Sequence, residues 1–141
     1  MAQRSSPFAS FLAAGIVAGV LASAANLAIY LVALVLGAWD STVVAPAGDP
    51  IGATPILLLS LIPAALGGLV GWAAIRFLPR GRTVFTVVAV AVLALMAIPP
   101  LQLGAPAAMV VLLQLMHVVA GGVTIGMVLR VDQARQEAAR G

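Results

Sequence analysis

Four long apolar stretches, broken by short runs of polar residues, glycine and proline, organise this chain. The first covers residues 7–39, with Ser6 placed to cap a helix and Pro7 suited to its first turn. It is longer than one span needs, so tilt or extension beyond the bilayer is expected. The second covers residues 54–78 and repeats the cap-and-proline opening at Thr54-Pro55. The third covers residues 83–103, with Pro99-Pro100 disrupting its end. The fourth covers residues 106–130 and again opens on proline. Crossing about 30 Å of hydrocarbon takes about 20 apolar residues in helical form, which each stretch meets or approaches. Lipid forces backbone groups to bond within their own segment, so helices are expected. Barrel strands would show alternating segments of about 10 residues, and the chain has none.

The pattern predicts an all-α membrane protein: one domain, four transmembrane helices in an up-down-up-down bundle. Short connections at residues 79–82 and 101–105 make neighbouring spans antiparallel hairpins. A loop over residues 40–53, with Pro46, Gly48, Pro50 and Gly52, is expected to be irregular. The tail over residues 131–141 alternates acid and base and reads as a solvated end of the fourth helix. Arg4, an apolar run and Ala22-Ser23-Ala24 imitate a signal peptide, but the run continues through Leu36, so an uncleaved first helix is expected.

Composition narrows the class. Of 141 residues, 63% are hydrophobic and 8% charged, with a mean hydropathy of +1.19. A soluble domain carries about a quarter charged residues, so this is neither a soluble globule nor a disordered chain. With no cysteine, disulfides, thiolate metal sites and iron–sulfur clusters are excluded.

All seven basic residues are arginine. Arg4 precedes the first span; Arg76, Arg80 and Arg82 surround the second connection; Arg130, Arg135 and Arg140 follow the fourth. The 40–53 loop has two aspartates and no arginine. The positive-inside rule then places both termini and the 79–82 turn in the cytoplasm, and the 40–53 loop outside. These arginines also suit anionic lipid headgroups. They form no clustered basic face, so nucleic acid is not an expected partner. The expected partners are the bilayer and either a second copy or another membrane protein.

Small residues allow close helix approach where lipid removes the drive for apolar burial. Gly15, Gly19, Ser23 and Asn26 form one stripe on span one. Ala64, Gly67, Gly68 and Gly71 do so on span two, behind Pro63, a candidate hinge. Gln114, His117, Gly121 and Thr124 share a face of span four. Each stripe reads as a helix contact or as the lining of a ligand or ion path. Trp39 fits an interfacial anchor.

Polar residues at membrane depth are few. Asn26 and His117 each lie roughly 11 residues from the outer end of their spans, about 16 Å deep at 1.5 Å per residue. With Gln114 one turn outward, they form a candidate buried hydrogen-bond cluster; Ser60 lies on span two, nearer the outer surface. An ionisable group at this depth is also a functional-site hypothesis. His117, the lone histidine, suits haem ligation, a quinone hydrogen bond or a proton relay. Haem with two axial histidines requires a dimer, and a relay lacks carboxylates within the spans. Nucleophile–base pairs, phosphate loops and divalent-metal ligand sets are missing, so neither enzyme activity, cofactor nor metal is predicted.

Ala24-Ala25-Asn26-Leu27, a proline-led second helix ending in an arginine turn, Arg82-Thr83-Val84-Phe85, Ile98-Pro99-Pro100-Leu101 and Leu115-Met116-His117 stand in order along the chain. In this the chain resembles an uncharacterised family of small four-helix membrane proteins, mainly actinobacterial, known as a domain of unknown function. The resemblance implies four helices in a bacterial inner membrane and imports no activity. Three functions are therefore expected in this order: a non-enzymatic scaffold or modulator of a membrane complex, a homo-oligomeric transporter or channel subunit, and a haem- or quinone-binding redox subunit using His117.

Overall fold

The computed structural model describes residues 6–45 and 48–141; Arg4 and Pro46 lie outside them. The described residues are helical, with no strand beyond an isolated bridge between Val44 and Pro50. Helix α1 is Pro7–Val35, α2 Ala53–Phe77, α3 Gly81–Met96, α4 Ile98–Gln102 and α5 Ala107–Arg140. Taking α3 with α4 as one 22-residue segment, four helices are long and apolar enough to cross a membrane.

The Ser6 hydroxyl accepts the Ala9 N–H at 3.2 Å and starts α1. The helix ends at Val35, short of Trp39, because Gly37 takes φ +67°. Its N–H bonds to Leu34 O, and that of Ala38 reaches back to Ala33 O at 2.9 Å. These two bonds satisfy carbonyls at the helix end and turn the chain. Trp39 folds inward as a result. It is buried, donates its ring N–H to Ile51 O at 3.0 Å and meets Tyr30 edge-on at 4.9 Å. Its work is to hold the loop on the bundle end. In that loop Asp40 accepts from the Thr42 hydroxyl and backbone N–H, which hold its carboxyl below the usual carboxylate range.

Helix α2 continues through Pro63, whose side is exposed. Arg80, in the left-handed region at φ 57°, and Gly81 make the tight turn into α3. A Cβ at Gly81 would collide with the Ala74 carbonyl, so glycine is required there. Pro99 and Pro100 do more than end α3: they fill the first turn of α4, where a missing N–H costs nothing. Helix α5 runs past Arg130 to Arg140; most of this end is exposed, and Asp132 within it is buried.

Close contacts set the register. Phe11 O lies against Gly68, Gly15 against Ala64, Gly19 against Leu61, and the Ser23 hydroxyl donates to Leu57 O at 3.1 Å. Numbers rise along α1 as they fall along α2. The same opposition joins α1 to α5 (Ser10 with Arg135, Asn26 with Met116) and α3 to α5 (Arg82 with Asp132, Leu93 with Gly121). Helices α2 and α5 rise together, through Gly67 with Thr124 and Gly71 with Val128. Two cores result. One joins Phe11, Ala74, Phe85 and Val128 at the arginine-bearing end; the other joins Ala33, Trp39, Ile56 and Met109 at the loop end.

Candidate functional site

The stripe on α1 delivers Asn26 to a crossing of three helices. Here α1, α2 and α5 flank a half-open pocket of about 110 Å³, whose polar lining residues are Asn26, Ser60 and His117. The rest is apolar and includes Ile56, Leu113 and Met116.

Hydrogen bonds fix the polarity of each group. Ser60 Oγ donates to Ile56 O at 2.7 Å, so toward Asn26 it accepts, taking one N–H of the Asn26 amide at 2.9 Å. The second N–H goes to Met116 O at 3.2 Å. A backbone carbonyl only accepts, so the orientation of the amide is determined. Both donors of Asn26 are used, and its Oδ1 has no partner although the residue is 3% exposed. An unmet buried acceptor costs about 1–3 kcal/mol. His117 Nδ1 sits 2.7 Å from Leu113 O, so by the same reasoning Nδ1 carries the proton. In the neutral ring, Nε2 is then an acceptor.

Of the three residues expected to cluster, two share this pocket. Gln114 is engaged elsewhere: its Nε2 donates to Ala97 O at 2.6 Å, at the α3–α4 junction. Ser60 takes its place as the partner of Asn26. The signal was present in the sequence, because Ser60, Ala64, Gly68 and Gly71 continue one small-residue stripe along α2. Gly15 and Gly19 meet α2, as does Ser23; Gly67 and Gly71 face α5, and Gly121 faces Leu93 of α3. It is Gly68 that receives α1, with Gly15 Cα 3.0 Å from where its Cβ would stand.

The arginines gather at the opposite end from Trp39. Arg82 lies 4.0 Å from the Asp132 carboxylate, which also accepts from Gln136 at 2.8 Å. Arg135 donates to the Ser10 hydroxyl at 3.3 Å. Arg76 stacks 5.8 Å over the Phe77 ring, and Arg130 is exposed. An open apolar groove of about 380 Å³ between α2 and α3 lies near them, lined by Val70, Ala74, Phe77 and Phe85 among others. Among the described residues no three His, Asp or Glu side chains stand together as metal ligands.

No curated protein and no solved structure matches the chain. One family model does, described as a family of unknown function (DUF6069), over residues 7–134. The match takes in α1 to α4, most of α5, the pocket and the Arg82–Asp132 pair. The chain therefore belongs to DUF6069, a family of unknown function whose member here has four helices of membrane-spanning length and apolarity.

Proposed function

We propose that this is a multi-pass protein of the bacterial inner membrane, threaded up-down-up-down with both termini cytoplasmic. In this reading it acts without catalysis, as a scaffold or modulator of a membrane complex. The observation that carries the reading is the bareness of α3. Only 11% of its apolar window is buried, against 28% for α1 and for α2 and 22% for α5. Its exposed side presents Thr83, Val87, Ala91 and Ala94 at helical spacing. Small and β-branched residues give a smooth surface on which a second helix can seat closely. The exposed side of α2 is bulkier, with Leu58, Leu59, Ile62 and Leu66, whereas α3 exposes such bulk only at Leu95 and Met96 near its end. Bulky residues of that sort suit lipid.

The convergence of the α2–α3 turn and the α5 end on one pole supports the orientation, since arginine-rich ends are retained in the cytoplasm. The cysteine-free sequence makes the docking face testable. Ala91→Cys places a single thiol on α3, and Leu59→Cys is the control on α2. After crosslinking in native membranes, Ala91→Cys is expected to give an adduct with a different membrane protein, and Leu59→Cys none. The same partner should co-purify with the unmodified chain and be lost on Ala91→Phe. A self-adduct would instead favour the homo-oligomeric transporter or channel subunit. Absence of adducts at both positions would defeat the scaffold reading.

A further inference from the structure

We propose that the open groove between α2 and α3, at the arginine-bearing pole, binds one anionic phospholipid, with an acyl chain in the groove and the phosphate on Arg76 and Arg80. The inference needs the helices to cross a bilayer. It needs neither a docked partner protein nor the cytoplasmic assignment of that pole. The two helices are pinned at their junction by Gly81, where a Cβ would meet the Ala74 carbonyl. Beyond the junction Phe85 turns inward onto Gly71, its Cε2 3.4 Å from where a Cβ would stand. Buried Ala74 and Phe85 thus make the floor of the groove, and exposed Val70, Phe77 and Val88 its rim. Every lining residue is apolar, and the volume is about 380 Å³. From Val70 to Leu78 the groove follows about 12 Å of α2 at 1.5 Å per residue, which suits an extended alkyl chain.

An apolar groove alone would take any lipid chain, and charge selects the headgroup. Arg76 holds its guanidinium 5.8 Å over the ring of Phe77, a rim residue. Arg80 stands in the turn two residues past Leu78, which also lines the groove. Both arginines are exposed, and among the described residues neither meets a carboxylate. Arg82, the third arginine here, has its charge opposed by Asp132. Between Asp49 and Asp132 the chain has no acidic residue. Two guanidinium groups without a counterion, at the end of an alkyl groove, match a phosphodiester, whose oxygens accept paired N–H donors from arginine. Basic clefts between membrane helices are where anionic headgroups bind. A zwitterionic headgroup would bring its own ammonium toward the same arginines and gain less.

The test is a lipid titration of the full chain in a nonionic detergent, read by native mass spectrometry, which counts bound lipids and copies of the chain together. The probes are phosphatidylglycerol and phosphatidylethanolamine with identical acyl chains, and glycerol 3-phosphate as the headgroup without a chain. One phosphatidylglycerol is expected to bind about 30-fold more tightly than phosphatidylethanolamine, from a factor of about five for each arginine. Arg76→Gln with Arg80→Gln should remove that preference. Arg130→Gln with Arg140→Gln, an equal loss of exposed charge on α5, should keep it. Ala73→Phe fills the groove, leaves every arginine in place and should weaken both lipids, so it carries the test should the first pair not purify. Glycerol 3-phosphate should not compete. Equal affinity for the two lipids would overturn the proposal, as would an equal loss in the α5 pair, the mark of diffuse attraction. Competition by glycerol 3-phosphate would overturn it in favour of a free-phosphate site. A dimer that lipid displaces and Ala73→Phe abolishes would overturn it by making a second copy the occupant.

Discussion

A side chain at Gly15 has nowhere to go. Its Cβ would stand 2.7 Å from Ala64 O and 3.0 Å from Gly68 Cα, both backbone atoms that cannot swing aside. Gly15→Ala therefore has to push α1 away from α2, and overpacking of this kind costs about 1–3 kcal/mol. At Gly122 a Cβ meets nothing within 4 Å. There alanine gains the helix preference that glycine lacks, about 1 kcal/mol. Unfolding midpoints in detergent are thus expected to move in opposite directions for the two variants. A Gly15→Ala protein as stable as the parent would mean that α1 and α2 do not approach as described. The sequence marks both glycines alike, and only the neighbour across the interface separates them. The same holds for Asn26. Its position on a stripe with Gly15 and Gly19 was legible, but its partner was not. By depth Gln114 was the expected partner and Ser60 lay nearer the outer surface, and the choice is made by which face of α5 turns toward α1.

The start of α1 was more legible than its end, whereas α2 starts at Ala53 behind Gly52 and not on the Thr54-Pro55 cap that the sequence suggests. Ser6-Pro7 marks the beginning of α1 through chemistry local to the chain, a side-chain acceptor and a preset φ. The end of α1 is set by Gly37, whose role is visible only once the backbone is known to turn left-handed there. Hydropathy continues smoothly to Trp39, so an apolar count overruns the boundary. Gly37→Ala isolates this effect, because its Cβ would touch nothing within 4 Å and only the backbone conformation is penalised. A non-glycine residue held left-handed costs about 1–2 kcal/mol. The expected result is a loss of that size in unfolding free energy, together with weaker amide protection at Ala38, whose N–H closes the cap on Ala33 O. Unchanged protection would show that the cap does not depend on the left-handed turn. At the other end of the chain the alternating charges after Arg130 lie on a mostly exposed end of α5, and the sequence does not mark the one exception, Asp132, which is covered where Arg82 of α3 and Gln136 approach it. Arg82 is 41% exposed, so the ion pair itself contributes at most about 1 kcal/mol and its weight is in register.

At the scale of the whole molecule, the two poles of the bundle are chemically unlike. One collects Arg76, Arg80, Arg82, Arg130 and Arg135, of which Arg82 meets Asp132 and Arg135 meets Ser10; the other is closed by Trp39 and its loop and carries no described arginine. Arginine gathered at one pole is the feature that the positive-inside rule reads, and it counts arginines near span ends and disregards aspartates. It follows that the loop bearing Asp49 and the extension bearing Gln133 should lie on opposite sides of the membrane. Both side chains are exposed, and the chain has no cysteine to interfere. Asp49→Cys should then react with a membrane-impermeant maleimide in intact cells whose inner membrane alone bars the reagent. Gln133→Cys should react only after permeabilisation. Neither change removes an arginine, so the signal that sets the orientation is untouched. The reversed pattern would overturn the cytoplasmic assignment of the C-terminus. Reaction of both in intact cells would be worse for the reading, because it would put both ends of the bundle on one side and deny that the helices cross at all.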